Sequence, residues 1–260
     1  MRDMGGAPVL APGIPADYYR RIYEAEERHW WYRGMRSITA ALLGDRLEAS
    51  GMRLLDAGCG TGGFLRWALD RGSFAVAAGV DLGAAAIELA RERVPEADLR
   101  TAPLASLPFE DASFELVVTS DVLQHVPEGD VAASLAELRR VLAPRGTLLL
   151  RTNGASRLRR ERDDWRAYDR TTLRRALEGA GFACERVTYA SMLLSLWGVV
   201  RGRAPHAPTE ERDGIPRSEP GGLSTAVGGR LLALEAAYLR GPGRTLPYGH
   251  TLFAVAAPAT

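Results

Sequence analysis

The sequence predicts an α/β protein in which a mostly parallel sheet carries helices on both faces. Short apolar strands alternate with helical segments between residues 53 and 189, and strands separated by helices pair in parallel. The first strand runs directly into a glycine-rich turn, and the second ends in an acid, Asp81. Such a turn brings backbone N–H groups close to a nucleotide-like ligand. The sequence therefore also predicts a ligand site, which is formed by the glycine-rich turn and by Asp81.

Helical spacing and turn residues set the expected order of the elements. Two helices come first, one from Asp17, its expected N-cap, to about residue 33 and one over 34–50. The strands are then predicted at 53–57, 75–80, 98–101, 114–120, 147–152, 183–189 and 251–257. The helices among them are predicted at 62–71, 83–93, 130–142, 169–179 and 227–239. We interpret Pro144-Arg145-Gly146 as the turn between a helix and the next strand.

These elements divide the chain into five segments. Residues 1–15 are rich in Gly, Pro and Ala and are expected to form a disordered tail. A helical cap is predicted over 16–50, and the ligand-binding core over 51–190. An insert over 191–247 is expected to act as a lid with a mobile middle. The last strand of the core and a tail occupy 248–260.

Charge and composition exclude several classes of function. The formal net charge is +1, so no overall field attracts nucleic acid or an anionic membrane, and neither is an expected partner. All 33 basic residues are Arg, which excludes a Lys base or Schiff base. Cys59 and Cys184 lack metal-ligand spacing, so no metal is predicted. Without a long apolar run or a signal-peptide core, we expect a cytoplasmic monomer or homodimer.

The glycine-rich run over 54–64 is compatible with two ligands. Gly58-x-Gly60-x-x-Gly63 matches a dinucleotide fingerprint, whereas Gly58-x-Gly60-x-Gly62 matches the shorter turn used for S-adenosylmethionine. Asp56 lies just before the glycines, where it suits ammonium and sulfonium groups better than a pyrophosphate. In either ligand the acid that ends the second strand can accept hydrogen bonds from the ribose hydroxyls. S-adenosylmethionine is favoured, and a nicotinamide cofactor stays open.

With these elements in place, the chain resembles the class I S-adenosylmethionine-dependent methyltransferases, in the branch called type 11. The resemblance extends from Tyr18 through almost the whole chain. Besides the glycine-rich run and Asp81, it is carried by residues 107–117, 121–126, 135–146, 29–36 and 246–250. It implies methyl transfer from S-adenosylmethionine and a seven-stranded, Rossmann-like sheet. The last strand of that sheet would be antiparallel and inserted between the fifth and sixth.

The resemblance also implies which residues bind the methionine and ribose parts of the cofactor. Gly58, Gly60 and Gly62 would pass the backbone under the methionine part, and Asp56 would organise that turn. Asp81 would bind the ribose hydroxyls.

Further implied contacts surround the adenine and the amino acid end. Leu82 would cover one adenine face, Leu104 would offer its backbone N–H to the adenine edge, and Asp121 would lie near the amino acid end. Relatives commonly have an Asp where this chain has Pro103, and that Asp accepts a hydrogen bond from the adenine amino group. Because Pro103 cannot do so, adenine recognition is expected to rely on the backbone and on packing.

The N-terminal helices are rich in aromatic residues, which are Tyr18, Tyr19, Tyr23, Trp30, Trp31 and Tyr32. We interpret them as a cover, with Trp31 toward the cofactor and Tyr19 and Trp30 toward the acceptor. Arg33 or Arg36 would pair with the methionine carboxylate, which a guanidinium binds through two hydrogen bonds. Simple packing of the aromatic rings on the sheet is the alternative. Trp30 and Trp31 are adjacent and cannot both face the core from one helix.

A histidine is the expected base if the acceptor is a hydroxyl group. His125 follows the fourth strand on the ligand side of the sheet and is the first candidate, with local capping as the open alternative. His250 starts the returning strand and is predicted either to contact the acceptor or to be structural. Trp165 and Tyr168, after the fifth strand, are candidate acceptor contacts.

The predicted function is methyl transfer to a small-molecule acceptor, such as a natural product or a sugar. O-methylation is favoured over N-methylation because a histidine is placed to act as a base, which an amine acceptor would not need. Methylation of nucleic acid or protein, and non-catalytic binding of S-adenosylmethionine, stay open as alternatives. The near-neutral charge disfavours a nucleic acid acceptor.

Overall fold

The computed structural model describes residues 16–155, 166–200 and 223–259. In these ranges seven strands form one sheet, and they are β1 (Arg53–Ala57), β2 (Val76–Asp81), β3 (Asp98–Thr101), β4 (Phe114–Ser120), β5 (Leu142–Asn153), β6 (Phe182–Ala190) and β7 (Thr251–Pro258). The α-helices are α1 (Ala16–Arg28), α2 (Trp30–Leu43), α3 (Gly63–Leu69), α4 (Ala84–Arg93), α5 (Val131–Val141), α6 (Arg170–Gly179), α7 (Met192–Val200) and α8 (Leu223–Leu239). No helix within these three ranges is both long and apolar enough to cross a lipid bilayer.

The strands follow the order β3-β2-β1-β4-β5-β7-β6. The pairs from β3 to β5 are parallel, whereas β7 runs antiparallel to both β5 and β6. The predicted Rossmann-like sheet is therefore confirmed, including the placement of its last strand between the fifth and sixth. Leu55, Val117 and Leu149 in the central strands are fully buried, as expected for a parallel sheet covered on both faces.

The direction in which strands are added to the sheet reverses between β1 and β4. Strands β2 and β3 lie on one side of β1, whereas β4 and β5 lie on its other side. Ligands of open α/β sheets bind in the crevice at such a reversal, at the carboxyl ends of the strands. Charged residues lie at these ends: Asp56 in β1, Asp81 in β2, Asp121 directly after β4, and Arg151 in β5. The topology thus brings four charged side chains from distant parts of the sequence to one edge of the sheet.

The boundary between the two N-terminal helices was predicted at residues 33–34, and the structure places it at His29. The backbone of His29 is extended, and its imidazole Nδ1 accepts a hydrogen bond from the backbone N–H of Trp31 at 3.3 Å. His29 is therefore the N-cap of α2, a position that Ser, Thr, Asp and Asn usually occupy. The usual sequence signal for a helix start was absent, which explains the wrong boundary.

Strand β5 begins at Leu142, before the predicted start at residue 147. Leu142 pairs with Phe114 and Thr147 pairs with Leu116, so residues 143–146 bulge out of the ladder. The interpretation of Pro144-Arg145-Gly146 as the turn between a helix and the next strand is therefore wrong, because these residues lie within β5, which starts directly after α5. A bulge tolerates proline because the residue needs no N–H donor for the ladder there.

The insert contributes α7 and α8 to the described structure, while its predicted mobile middle, 202–222, lies outside the described residues, as does the predicted tail over 1–15. Helix α8 begins at Leu223, before the predicted start at residue 227, and packs on α2. Buried Glu235 of α8 accepts hydrogen bonds from the backbone N–H groups of Ser191 and Leu193 at 2.6 and 2.7 Å. The carboxylate thereby fastens the start of α7 to α8.

Gly34 allows the close approach of α2 and α8. A Cβ atom at this position would overlap the side chain of Leu232, which is fully buried in α8. The cap and the insert are therefore joined at a point where a methyl group does not fit.

We expect Gly34→Ala to lower the free energy of unfolding by about 1–3 kcal/mol, because overpacking displaces buried side chains. Gly229→Ala is the matched control, since nothing lies within 4 Å of a Cβ atom added there on α8. The control should raise the free energy of unfolding by about 0.5–1 kcal/mol through helix propensity. Urea unfolding measures the free energy of unfolding of both variants. An equal change in this free energy for the two would contradict the α2–α8 contact.

Candidate active site

A cavity of about 380 Å³ lies at the carboxyl ends of the central strands, next to α1 and α2. Ten of the predicted site residues line it, and they are Tyr19, Arg36, Asp56, Gly58, Gly60, Asp81, Leu82, Leu104, Asp121 and His125. Among the described residues of the insert, none is on this wall. In the described part of the chain, the cover over the strand ends therefore comes from the two N-terminal helices.

The glycine turn between β1 and α3 needs glycine for both conformation and space. Gly58, Gly60 and Gly62 have φ values of +90°, +51° and +79°, which glycine adopts without steric strain. A Cβ atom at Gly58 would overlap Val122, whereas nothing lies within 4 Å of a Cβ atom added at Gly60. At Gly60 the backbone itself is thus accessible from the cavity, as close approach of a ligand requires.

Asp81 fastens the glycine turn to the loop after β2. Its Oδ2 accepts the backbone N–H of Gly60 and its Oδ1 accepts the backbone N–H of Gly83, both at 2.9 Å. A carboxylate offers about four lone-pair sites, so each oxygen keeps capacity for a further donor. Because Asp81 also lines the cavity, a pair of ligand hydroxyl groups can use that capacity.

The structure places Tyr19 at the same loop. A Cβ atom at Gly83 would overlap the Tyr19 hydroxyl group, and the Tyr19 side chain is buried. Burial, followed by the charge of Asp81, raises the pKa of Tyr19 to about 12. Tyr19, predicted as an acceptor contact, therefore adjoins the predicted ribose carboxylate.

Among the described residues of the cavity wall, acidic side chains outnumber basic ones. Two of these residues, Arg36 and Arg151, carry guanidinium groups, whereas the acidic ones are Glu26, Asp56, Asp81, Asp121 and Asp130. Burial, with the charges of Glu26 and Asp81, raises the pKa of Asp56 well above its usual range. A cationic ligand relieves such repulsion, whereas a pyrophosphate adds to it.

Glu26 of α1 is a wall residue that the sequence analysis missed. Its carboxylate lies against Gly63 at the start of α3 and accepts hydrogen bonds from the Thr61 hydroxyl group and the Arg93 guanidinium. Arg93 is 7% exposed, donates to the backbone carbonyl of Tyr23, and stacks on the Tyr23 ring at 3.7 Å. This buried cluster holds α1 over the glycine turn. In the sequence Glu26 is one charge among many in an amphipathic helix, so no local signal identified it.

Asp121 and Arg151 form an ion pair on the wall, with Arg151 Nη2 at 2.6 Å from Asp121 Oδ2. Asp121 has a φ of +58°, which is uncommon for a residue other than glycine. Its backbone N–H also donates to the Arg151 carbonyl at 2.9 Å. The two contacts hold the end of β4 against the end of β5 and fix the direction of the Asp121 carboxylate.

His125 lies on the wall in a short helical turn, Leu123–His125, directly after β4. The neighbouring Gln124 is buried, and its Oε1 accepts hydrogen bonds from Thr152 Oγ1 and from the backbone N–H of Asn153 at 3.0 and 3.2 Å. These bonds fix the turn on β5. Burial lowers the pKa of His125 below its ordinary value, and the charge of Asp121 opposes this shift. The net lowering of the pKa favours the neutral form of the imidazole.

Other predicted site residues lie away from the wall in the described part of the chain, and they are Trp30, Trp31, Arg33, Gly62, Tyr168 and His250. Trp30 is buried, and a Cβ atom at Gly228 of α8 would be 2.7 Å from its ring. This packing matches the alternative interpretation of the aromatic residues. Arg33 points into solvent, and Tyr168 is buried beside β5. The candidate acceptor contact Trp165 lies outside the described residues.

No group of three or more His, Cys, Asp or Glu residues is placed to hold a metal ion within 16–155, 166–200 and 223–259. The wall instead combines a carboxylate suited to hydroxyl groups, an accessible glycine backbone and an excess of acids. Together with the sheet topology, these features define a Rossmann-like protein whose cavity suits a cationic nucleoside.

Comparison with known proteins identifies the family. The family described as "Methyltransferase domain" matches residues 55–150. A malonyl-[acyl-carrier protein] O-methyltransferase of Serratia marcescens is 32% identical over 219 residues, which is 78% of this chain and 80% of that protein. A Mycolicibacterium smegmatis protein named as a probable S-adenosylmethionine-dependent methyltransferase is 31% identical over 68% of each chain.

Solved structures share the fold. A chain in the complex between the Haloferax volcanii Trm112 methyltransferase activator and a methyltransferase has a TM-score of 0.62 at 18% identity, covering 94% of this chain and 96% of that one. A TehB-like S-adenosylmethionine-dependent methyltransferase from Corynebacterium glutamicum has a TM-score of 0.55 at 17% identity, covering 94% and 97%. The protein described here belongs to the class I S-adenosylmethionine-dependent methyltransferases, in the type 11 branch.

We expect Gly58→Ala to weaken the binding of S-adenosylhomocysteine at least about tenfold, because both the positive φ and the Val122 side chain oppose a Cβ atom. Gly51→Ala is the matched control. Gly51 also has a positive φ, +78°, but nothing lies within 4 Å of an added Cβ atom, so the variant loses stability without losing affinity. Calorimetric titration measures both, and equal affinities would contradict the assigned role of the turn.

Proposed function

We propose that this methyltransferase methylates an oxygen atom of a small-molecule acceptor, such as a natural product scaffold or a sugar. The observation that carries the proposal is the position of an imidazole, His125, on the wall of the cavity that also contains Asp81. Burial lowers the pKa of His125, which favours the neutral form that a base requires. The imidazole can take the proton of a hydroxyl group, which an amine acceptor would not require.

The residues present fit S-adenosylmethionine. Asp81 has free acceptor capacity for the two ribose hydroxyl groups, and the turn at Gly60 leaves the backbone accessible. Buried Asp56 suits the positive charge of the ammonium and sulfonium groups, and Arg36 suits the methionine carboxylate. When bound, the cofactor supplies a methyl group that its sulfonium already activates.

The protein has to align the acceptor and remove its proton. Orientation of the two reactants can lower the barrier by about 7–11 kcal/mol, and a positioned base contributes about 10²–10⁴-fold in rate. Gln124 fixes the turn that carries His125, and the paired Asp121 and Arg151 form the neighbouring wall. Tyr32 and Val122 complete this part of the cavity.

A carboxylate acceptor is the second candidate, and Arg151 favours it. The Arg151 guanidinium lies on the wall, and its Nε makes no hydrogen bond to any residue in the described ranges. A relative named malonyl-[acyl-carrier protein] O-methyltransferase has an acceptor group that ends in a carboxylate. Such an acceptor is already ionised at pH 7, so it needs no base.

The cofactor assignment is tested by calorimetry with S-adenosylhomocysteine and with NAD. We expect only the first to bind, because the acidic wall disfavours a pyrophosphate. Asp81→Asn should weaken that binding at least about tenfold, since an amide has one acceptor oxygen in place of two. Asp70→Asn, which changes an exposed carboxylate of a surface ion pair, is the control and should bind normally. Tight NAD binding would overturn the assignment.

Substitution of His125 distinguishes the two acceptors. Turnover is followed as S-adenosylhomocysteine release, with an acceptor found by screening hydroxyl- and carboxyl-bearing small molecules. For a hydroxyl acceptor, we expect His125→Ala to reduce turnover about 10²–10⁴-fold while cofactor binding is unchanged. His250→Ala, a change away from the wall, should have a smaller effect. Unreduced turnover in His125→Ala would remove the base from the mechanism and favour a carboxylate.

The pH profile gives an independent check on His125. A lowered pKa keeps the imidazole neutral further into the acid range, so wild-type turnover on a hydroxyl acceptor should begin to fall only below pH 6.5. The acid limb of the profile should vanish in His125→Ala.

A further inference from the structure

Ser134 places a buried hydroxyl group without a partner on the cavity wall. The residue lies in α5 and is 0% exposed, and its Oγ makes no hydrogen bond to any residue that the structure describes. Removing a hydroxyl group from water without giving it a partner is unfavourable. Its retention on the wall of a cavity therefore points to a partner on the ligand.

Helix α5 shows which part of the cavity Ser134 faces. Glu137 Oε2 accepts the backbone N–H of Leu107 at 2.7 Å, and Arg140 Nη1 donates to the Phe109 carbonyl at 2.7 Å. Glu137 follows Ser134 by three residues and shares its helix face. Arg140 Nη2 also donates to the Leu107 carbonyl at 2.9 Å, so Glu137 and Arg140 together hold the loop at residues 107–109. Ser134 lies one turn earlier on the helix and is therefore expected at the part of the loop that precedes Leu107.

Strand β2, which ends in Asp81, lies between β1 and β3. The loop after β3 is therefore on the opposite side of Asp81 from the glycine turn. The backbone N–H of Ala102 donates to the Asp81 carbonyl at 3.0 Å, so the loop starts directly beside the proposed ribose carboxylate. Pro103, Leu104 and Ala105 line the same cavity as Ser134. With the ribose at Asp81, the attached base extends along this wall.

The exocyclic amino group of adenine is a hydrogen-bond donor that needs an acceptor. Pro103, which lines the cavity in this loop, provides no side-chain acceptor. A serine hydroxyl group can rotate and accept. We propose that Ser134 Oγ accepts a hydrogen bond from the adenine amino group and makes the cavity selective for that base. This inference rests on the proposed function, because it assumes that the cavity binds S-adenosylmethionine.

Asp130 is the competing acceptor on the wall. It lies one turn before Ser134 and also lines the cavity, but it is exposed. Because water already solvates its carboxylate, a hydrogen bond from the ligand replaces one from water and adds little selectivity. Water does not compete for the Ser134 hydroxyl group in the same way, because this group is buried.

Two ligands isolate the contact in calorimetric titration. One is S-adenosylhomocysteine, and the other is its purine analogue with hydrogen in place of the amino group. We expect Ser134→Ala to weaken binding of S-adenosylhomocysteine about 5- to 10-fold and to leave binding of the purine analogue unchanged. Ser134→Cys keeps the side-chain size and should show the same selective loss, because a thiol is a weak acceptor.

Thr119→Val is the matched control. The Thr119 hydroxyl group is also buried and without a hydrogen-bond partner among the described residues, but it is not on the cavity wall. This variant should bind both ligands as the wild type does. In the ligand-free protein, Ser134→Ala should unfold at the same temperature as the wild type or above it, because it removes an unpartnered hydroxyl group and raises helix propensity.

Three outcomes would overturn the inference. They are equal weakening of both ligands in Ser134→Ala, no weakening of either, and a selective loss in Asp130→Asn instead. Failure of the wild type to bind S-adenosylhomocysteine would be a different result, because it would refute the proposed function itself.

Discussion

The carboxylate of Asp81 is the interaction on which the ligand site depends. Its two oxygens hold the backbone of Gly60 and the backbone of Gly83 at once, so one side chain sets the distance between the loops that follow β1 and β2. The glycine turn can stay open at Gly60 only because this bond, together with the bonds from Gly58 and Cys59 to Val80, supplies the rigidity that glycine lacks. Organisation of the turn and recognition of a ribose thus depend on the same side chain.

The cover of the site is fastened in a different way. Arg93 is almost inaccessible to water, and it joins α4 to α1 through Glu26 and the Tyr23 carbonyl. A buried charge pair is favourable only when its geometry is good, because the attraction has to offset the cost of removing both charges from water. Removal of either partner would leave the other charge buried and unpaired. The position of α1 over the glycine turn is therefore specified by directional contacts as well as by apolar packing.

Most of the fold could be predicted from the sequence, because strand and helix periodicity and glycine turns are local signals. The errors have physical causes. An imidazole caps α2 in place of a hydroxyl or carboxylate, and Pro144 lies in a bulge that only the pairing of Phe114 reveals. In the site, Gly58, Asp81 and His125 belong to recognisable motifs. Glu26, Arg151 and Ser134 do not, since their positions on the wall result from tertiary packing. The packing of Trp30 against Gly228 joins positions about two hundred residues apart in the chain, so no local signal could indicate it.

The junction of Gly34 with Leu232 has an evolutionary consequence. The cap and the insert are encoded far apart, yet each presents a surface shaped to the other. A gene exchange that brought in only one of them from a relative would create either a steric collision or a void at this junction. Diversification toward new acceptors is therefore expected to alter both segments together, so that substitutions in one are accompanied by compensating changes in the other.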